Sequence, residues 1–190
     1  MTRLALLSGD VAFLKVGKAR QGERSDLYDA DFYAWTVEQA LRLREIASAL
    51  AELGADTASL ASDFHHLAEE IEDVGQAERN ACRSRARRII EHLLKLEHPP
   101  ATRPRRNWRM SVIDARIELP DHLTPTLRRE LEERLPILCA EAVRKASSAL
   151  GERREVARSL PLPSTCPYTL DQILDPDWYP ANRHGLVDPG

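Results

Sequence analysis

All twelve prolines of this 190-residue chain lie after residue 98. Proline has no backbone N–H and clashes with the preceding helical turn, so it limits a helix wherever it falls inside one. The first 98 residues are therefore free to form long helices, and the rest is interrupted repeatedly. Nothing in either half reads as a clear strand or hairpin, and no repeat period appears. The pattern predicts an all-α protein: an antiparallel helical bundle with one long, kinked helix and a proline-rich C-terminal tail.

Local signals place the elements. Asp29 or Asp31 can accept hydrogen bonds from the free N–H groups of a helix start. The helix that follows carries Phe32, Leu43, Ile46, Leu50 and Leu53 on one face at three-to-four spacing, and Gly54 supplies its stop. A single helix from Phe64 to His98 would be ~52 Å long, against a radius of gyration of ~16 Å for a globule of this size. Gly75 is the expected break, giving a short helix that ends near Asp73 and a longer one that ends before Pro99. A further helix is expected from Asn107 to Leu119, limited by Pro120. Thr124 before Pro125 starts the next. Pro136 either kinks that helix or opens another, which ends at Gly151. Thr169 caps a short turn in the tail. Residues 1–27 read as a poorly ordered leader, 28–180 as one helical domain, and 181–190 as a flexible C-terminus.

Composition narrows the function classes. Hydrophobic residues make up 43% and charged residues 30%, a mix that buries a core and stays soluble. Aromatic content of 5% argues against a base-stacking RNA surface. No apolar run approaches the ~20 residues needed to span a bilayer, so no membrane partner is expected. Cys82, Cys139 and Cys166 are odd in number and lack the close pairing of a structural zinc site. They read as reduced thiols in a cytoplasmic protein. No glycine-rich phosphate loop and no nucleophile elbow is present, and no cofactor is expected.

Charge is polarised along the chain. From Asp29 to Glu78 there are twelve acids and two bases; from Arg79 to Arg109 there are ten bases and two acids. One reading is a phosphate-contacting surface made by Arg83, Arg87, Arg88, Arg103, Arg105, Arg106 and Arg109. The favoured reading is self-complementation, with an acidic helix packed beside a basic one or one subunit's acidic half beside another's basic half. A second pattern lies beside the apolar stripe of the long helix, where Glu78, Arg85 and His92 follow one another at seven-residue spacing. They could form an acid–base pocket with an anion-holding arginine. They could instead be buried pairs that set packing register, which is the favoured reading. His65–Glu69 and His66–Glu70 sit at i,i+4 spacing, but the Glu-x-x-His pairs of dimetal bundles are missing. No metal site is expected there.

Four stretches, in order, carry a resemblance: "YDADFYAWTVEQALRLR" at 28–44, "LAEEIEDVGQAER" at 67–79, "RSRARRIIEHLLKLEHPP" at 83–100 and "CPYTLDQILDPDWYP" at 166–180. They resemble a bacterial family known as domain of unknown function 29, over roughly Tyr28 to Pro180. The resemblance implies a small helical protein and brings no activity, cofactor or catalytic residue with it. The residues point first to a non-enzymatic cytoplasmic protein that acts through protein–protein contact or homo-oligomerisation. A nucleic-acid-associated protein using the arginines comes second, and a bundle enzyme using Glu78, Arg85 and His92 third.

Overall fold

The structure is a computed structural model that describes residues 27–152 and 161–186. Among the described residues there is no strand. The main elements are α1 (Phe32–Glu52), α2 (Ala58–Glu97), α3 (Arg105–Glu118), α4 (Pro125–Glu152) and a short α5 (Leu170–Leu174). Single 3-10 turns at Ala55–Thr57 and Pro120–His122 join α1 to α2 and α3 to α4. Among the described residues, no helix is long and apolar enough to cross a membrane. The leader expected before residue 27 lies outside the described residues.

Several boundaries follow from the local chemistry named above. Asp31 caps α1 by accepting from the Ala34 N–H at 3.0 Å. Its other carboxylate oxygen accepts from Thr126 N–H at 2.7 Å, so one side chain caps two helix starts. Gly54 adopts φ 116°, a region that L side chains rarely enter, and this turns the chain out of α1. Pro125 occupies the first position of α4, where its missing N–H costs nothing. Thr169 and Gln172 form a reciprocal capping box on α5.

α2 departs from expectation. It runs unbroken for 40 residues and starts at Ala58, not Phe64. Gly75 does not break it. Gly75 is buried, and a Cβ placed there would overlap Oγ1 of Thr36 on α1. The glycine is therefore there for close approach between helices, not for chain reversal. A row at seven-residue spacing runs the length of α2: Ala61, Ala68, Gly75, Cys82, Ile89 and Leu96, all buried. Its first three members are small and face Thr36, Ala40 and Ala47 of α1, the buried positions of that helix. Its last members are large and lie in the main core with Leu93 and Leu94.

The size change along this row divides the molecule. α1 packs along the N-terminal half of α2 and reaches α4 only slightly, so the two form an antiparallel arm. α3, α4 and α5 pack around the C-terminal half of α2. Trp108 and Val112 of α3, Leu127 and Leu131 of α4, and Ile173 of α5 fill the core there. α4 continues through Pro136 to Glu152 as one helix, with Pro136 exposed on its outer side.

The C-terminal end of α2 is closed by side chains from far along the chain. Its last carbonyls have no partners within the helix. Leu96 O accepts from Arg105 Nη1 and Asn182 Nδ2, both at 2.8 Å. Glu97 O accepts from the backbone N–H of Arg183 at 2.9 Å. The Glu97 carboxylate accepts from the Tyr168 hydroxyl at 2.7 Å and from Arg183 Nε at 2.8 Å. Burial first, and then this hydrogen bond to Glu97, push the Tyr168 hydroxyl far above the usual tyrosine range. The domain was expected to close at Pro180; Asn182 and Arg183 lie beyond it and are bonded into the body.

The cysteines also differ from expectation. Cys139 of α4 is disulfide-bonded to Cys166 in the segment before α5, with the two Cα atoms 5.3 Å apart. The expectation of three reduced thiols fails for this pair, because tertiary packing of α4 against the tail brings together two positions 27 residues apart. Cys82 remains a free, buried thiol, and burial pushes its pKa up to about 11.

Candidate interaction face

The arm is held together by small residues, which leaves the large apolar residues of α1 elsewhere. The sequence reading placed Phe32, Leu43, Ile46, Leu50 and Leu53 on one face, and they do share one. That face is not the one against α2. At 100° per residue it lies about 60–140° round the helix from Ala40. Ile46 is 42% exposed and Leu53 75% exposed. On α2, Leu60, Leu67 and Val74 repeat at seven-residue spacing and are 47%, 52% and 47% exposed. They lie about 80–120° round from the Ala61–Ala68–Gly75 row, in the same rotational sense.

In an antiparallel pair, equal rotations on the two helices reach the same side of the hairpin. The two apolar rows therefore make one continuous face. The Arg44–Glu72 ion pair marks the opposite side, because both residues are displaced the other way round their helices. Phe32 and Trp35 stack at 5.6 Å near the base of the face, with Tyr28 edge-on to both. On α1 the apolar positions of this side are uninterrupted by charge, and Glu45 and Glu52 border Ile46, Leu50 and Leu53 as an acidic rim. On α2 only Asp63 at the rim and Glu78 at the base carry charge on this side.

The Glu78, Arg85 and His92 line does not form one pocket. Glu78 pairs with His122 in the α3–α4 connection. Arg85 Nε pairs with Glu118 of α3 at 2.9 Å. His92 turns toward α4, and its Nδ1 is buried without a hydrogen-bond partner. Burial, then the nearby Lys95 charge, lowers its pKa to about 4. The row continues Phe64 and Ile71, so the three polar residues occupy core-edge positions that meet a different neighbour at each turn.

The seven arginines do not share one surface either. Arg83 pairs with Glu130 of α4, and Arg79 Nε joins the same carboxylate at 2.9 and 3.0 Å. Burial pushes the Glu130 carboxyl up, but these two guanidiniums outweigh it and hold it below its ordinary value. Arg87 reaches Glu141 at 3.1 Å. Arg105 is 3% exposed and serves the end of α2. Arg109 lies over the Tyr179 ring at 4.0 Å, with Arg116 at 4.9 Å. Arg88, Arg103 and Arg106 are exposed. The basic stretch thus complements acids of α3 and α4 within the chain, not the acidic arm.

Sequence reasoning missed Arg116. It is 7% exposed and donates to the carbonyls of Ile173, Gln172 and Pro176 at 2.9, 3.0 and 3.3 Å, which closes the end of α5. Its position in the helical pattern gave a signal, since it adjoins Ala115 and Val112 on the inward face. His65 and Glu69, weighed as metal ligands, are both more than half exposed and stand 3.6 Å apart.

One long central helix, a body wrapped round half of it and a two-helix arm on the other half define, among the described residues, an all-α protein with an exposed apolar face. The chain belongs to the family described as Domain of unknown function DUF29, whose pattern matches residues 27–179. It is similar to an alpha-helical protein of unknown function from Rhodospirillum rubrum ATCC 11170, known from its crystal structure. The two are 30% identical over 80% of this chain and 90% of that one, with a TM-score of 0.62. No curated protein matches the chain.

Proposed function

We propose that this is a non-enzymatic protein whose working surface is the apolar face of the α1–α2 arm, and that a second copy of the chain covers that face. The observation that carries the reading is the mismatch on α1. Its amphipathic stripe ends in exposed Ile46 and Leu53, while the face that does the intramolecular packing is Thr36, Ala40 and Ala47. An exposed apolar face of this kind marks an interaction site.

Size favours a second copy. Two helices of some 21 residues side by side offer a face ~32 Å long and ~18 Å wide, from a rise of ~1.5 Å per residue and an interaxial distance of ~9 Å. Self-pairing would bury about 1,200 Å² in total, the lower edge of stable interfaces. A two-fold pair of hairpins makes a four-helix bundle, in which each stripe meets its own equivalent. The acidic rim adds repulsion, so apolar contact must supply the association.

A cytoplasmic setting belongs to this proposal; the Cys139–Cys166 bond is the observation that weighs against it. Light scattering on the full chain tests the assembly: a dimeric mass is expected, and a monomeric mass at every concentration removes the reading.

A further inference from the structure

A cleft of about 190 Å³ opens between α2 and α4, lined by Ser84, Arg87, Arg88, Glu91, His92 and Lys145. Its charges are not balanced within it. Lys95 holds Glu91 at 2.5 Å, and Glu141 holds Arg87 at 3.1 Å. Arg88 and Lys145 are exposed cations with no ion-pair partner among the described residues. The buried Nδ1 of His92 has no hydrogen-bond partner. A buried ring nitrogen in that state calls for an explanation, because its desolvation is uncompensated. Ser84, Arg88 and His92 are four residues apart in turn, so a hydroxyl, a guanidinium and an imidazole line up along one side of α2. Lys145 faces them from α4.

We propose that this cleft binds the phosphate group of a small phosphorylated ligand. Arg88 and Lys145 supply the charge. The Ser84 hydroxyl and a His92 Nδ1–H donate to phosphate oxygens, which gives the buried nitrogen a partner. A second cleft of about 380 Å³ adjoins it through Ser84 and Arg87 and adds Asn80, Arg134 and Ile137. It offers room for the rest of the ligand, with two further cations, Arg83 (paired with Glu130) and Arg134, and an apolar wall. A nucleic-acid duplex fits less well. Duplex binding needs cations spaced along successive phosphates, whereas these form one cluster between two helices, beside Glu91 and Glu141.

Titration of the full chain with inorganic phosphate and with glycerol phosphate, followed by calorimetry and by the His92 ring nitrogen resonances, tests the site. Saturable binding at low salt with a shift of the His92 signal is expected. Arg88→Gln with Lys145→Gln should weaken it about tenfold or more. Arg103→Gln with Arg106→Gln, which removes equal charge from another surface, should leave it unchanged. All four side chains are exposed, so the fold survives these changes. Absence of saturable binding by either probe would overturn the proposal, as would equal loss in both double variants. Binding of a short DNA duplex through Arg88 and Lys145, with both small probes inert, would overturn it in favour of a nucleic-acid surface.

Discussion

Gly75 of α2 and Thr36 of α1 lie so close that the glycine has no room for a Cβ. The arm depends on this contact. Gly75→Ala should destabilise the protein by about 1–3 kcal/mol through overpacking, although alanine favours an isolated helix by about 1 kcal/mol. Thr36→Ala in the same chain should recover part of the loss. It removes the overlapping hydroxyl and leaves the Thr36 Cβ position, 3.1 Å away, as the nearest neighbour. Urea denaturation of the two variants checks this, and a Gly75→Ala protein as stable as the wild type would contradict the close packing.

Asp31 caps α1 and α4 at once, so Asp31→Ala should cost about 2–3 kcal/mol, roughly two helix caps. Burial pushes its carboxyl pKa up, but donors from Ala34 and Thr126 outweigh burial and hold the pKa below the ordinary value. A carboxylate with a lowered folded pKa contributes stability above its unfolded value of about 3.9 and loses it as pH falls through the folded value. Asp31→Asn should therefore flatten the acid limb of the stability curve, measured by denaturation between neutral and acid pH.

His92 gives a slope at higher pH. Its folded pKa, lowered to about 4, lies below the ordinary histidine value of 6.5. Between those values the unfolded chain binds a proton that the folded chain excludes. Stability then falls as pH drops from 6.5 toward 4, by at most about 1.4 kcal/mol per unit. Lys95, Glu91 and Arg88 surround the ring and set its field. His92→Gln should remove this component, so the wild type should lose stability relative to the variant as pH falls from 6.5 toward 4. Parallel pH curves for the two proteins would contradict the assignment.

The arm face can be blocked without touching the body. Leu67 is 52% exposed and lies mid-face, so Leu67→Glu should leave helicity and the urea midpoint of the dissociated chain within about 0.5 kcal/mol of the parent. It should abolish self-association, because it places a charge at the centre of an apolar interface. Circular dichroism and chemical denaturation at low protein concentration check the first part.

The sequence revealed what local chemistry decides. Gly54, Pro125, Thr169 and the Asp31 cap on α1 act within a few residues of themselves, and each was readable; the second cap of Asp31, on Thr126, spans 95 positions and was not. Gly75 was misread because its role depends on Thr36, 39 positions earlier. The apolar stripe of α1 was found correctly, but periodicity identifies a face that needs covering without saying what covers it. The core instead used alanines, whose weak hydrophobicity hides them from a pattern search. The inward position of Arg116 was readable, but its partners Gln172, Ile173 and Pro176, like the pairing of Cys139 with Cys166, lie far along the chain and were not. The charge pattern pointed to self-complementation with the acidic arm, within the chain or between subunits; the ion pairs of the basic stretch run instead to acids of α3 and α4.

Sedimentation velocity of the wild type and Leu67→Glu, at low and at high salt, tests the central claim most directly. The account predicts a wild-type dimer that tightens as salt screens the acidic rims, and a Leu67→Glu monomer under both conditions. A wild-type monomer throughout would contradict it. So would a dimer that salt dissociates and Leu67→Glu leaves intact, because that behaviour belongs to an acidic half bound to a basic half.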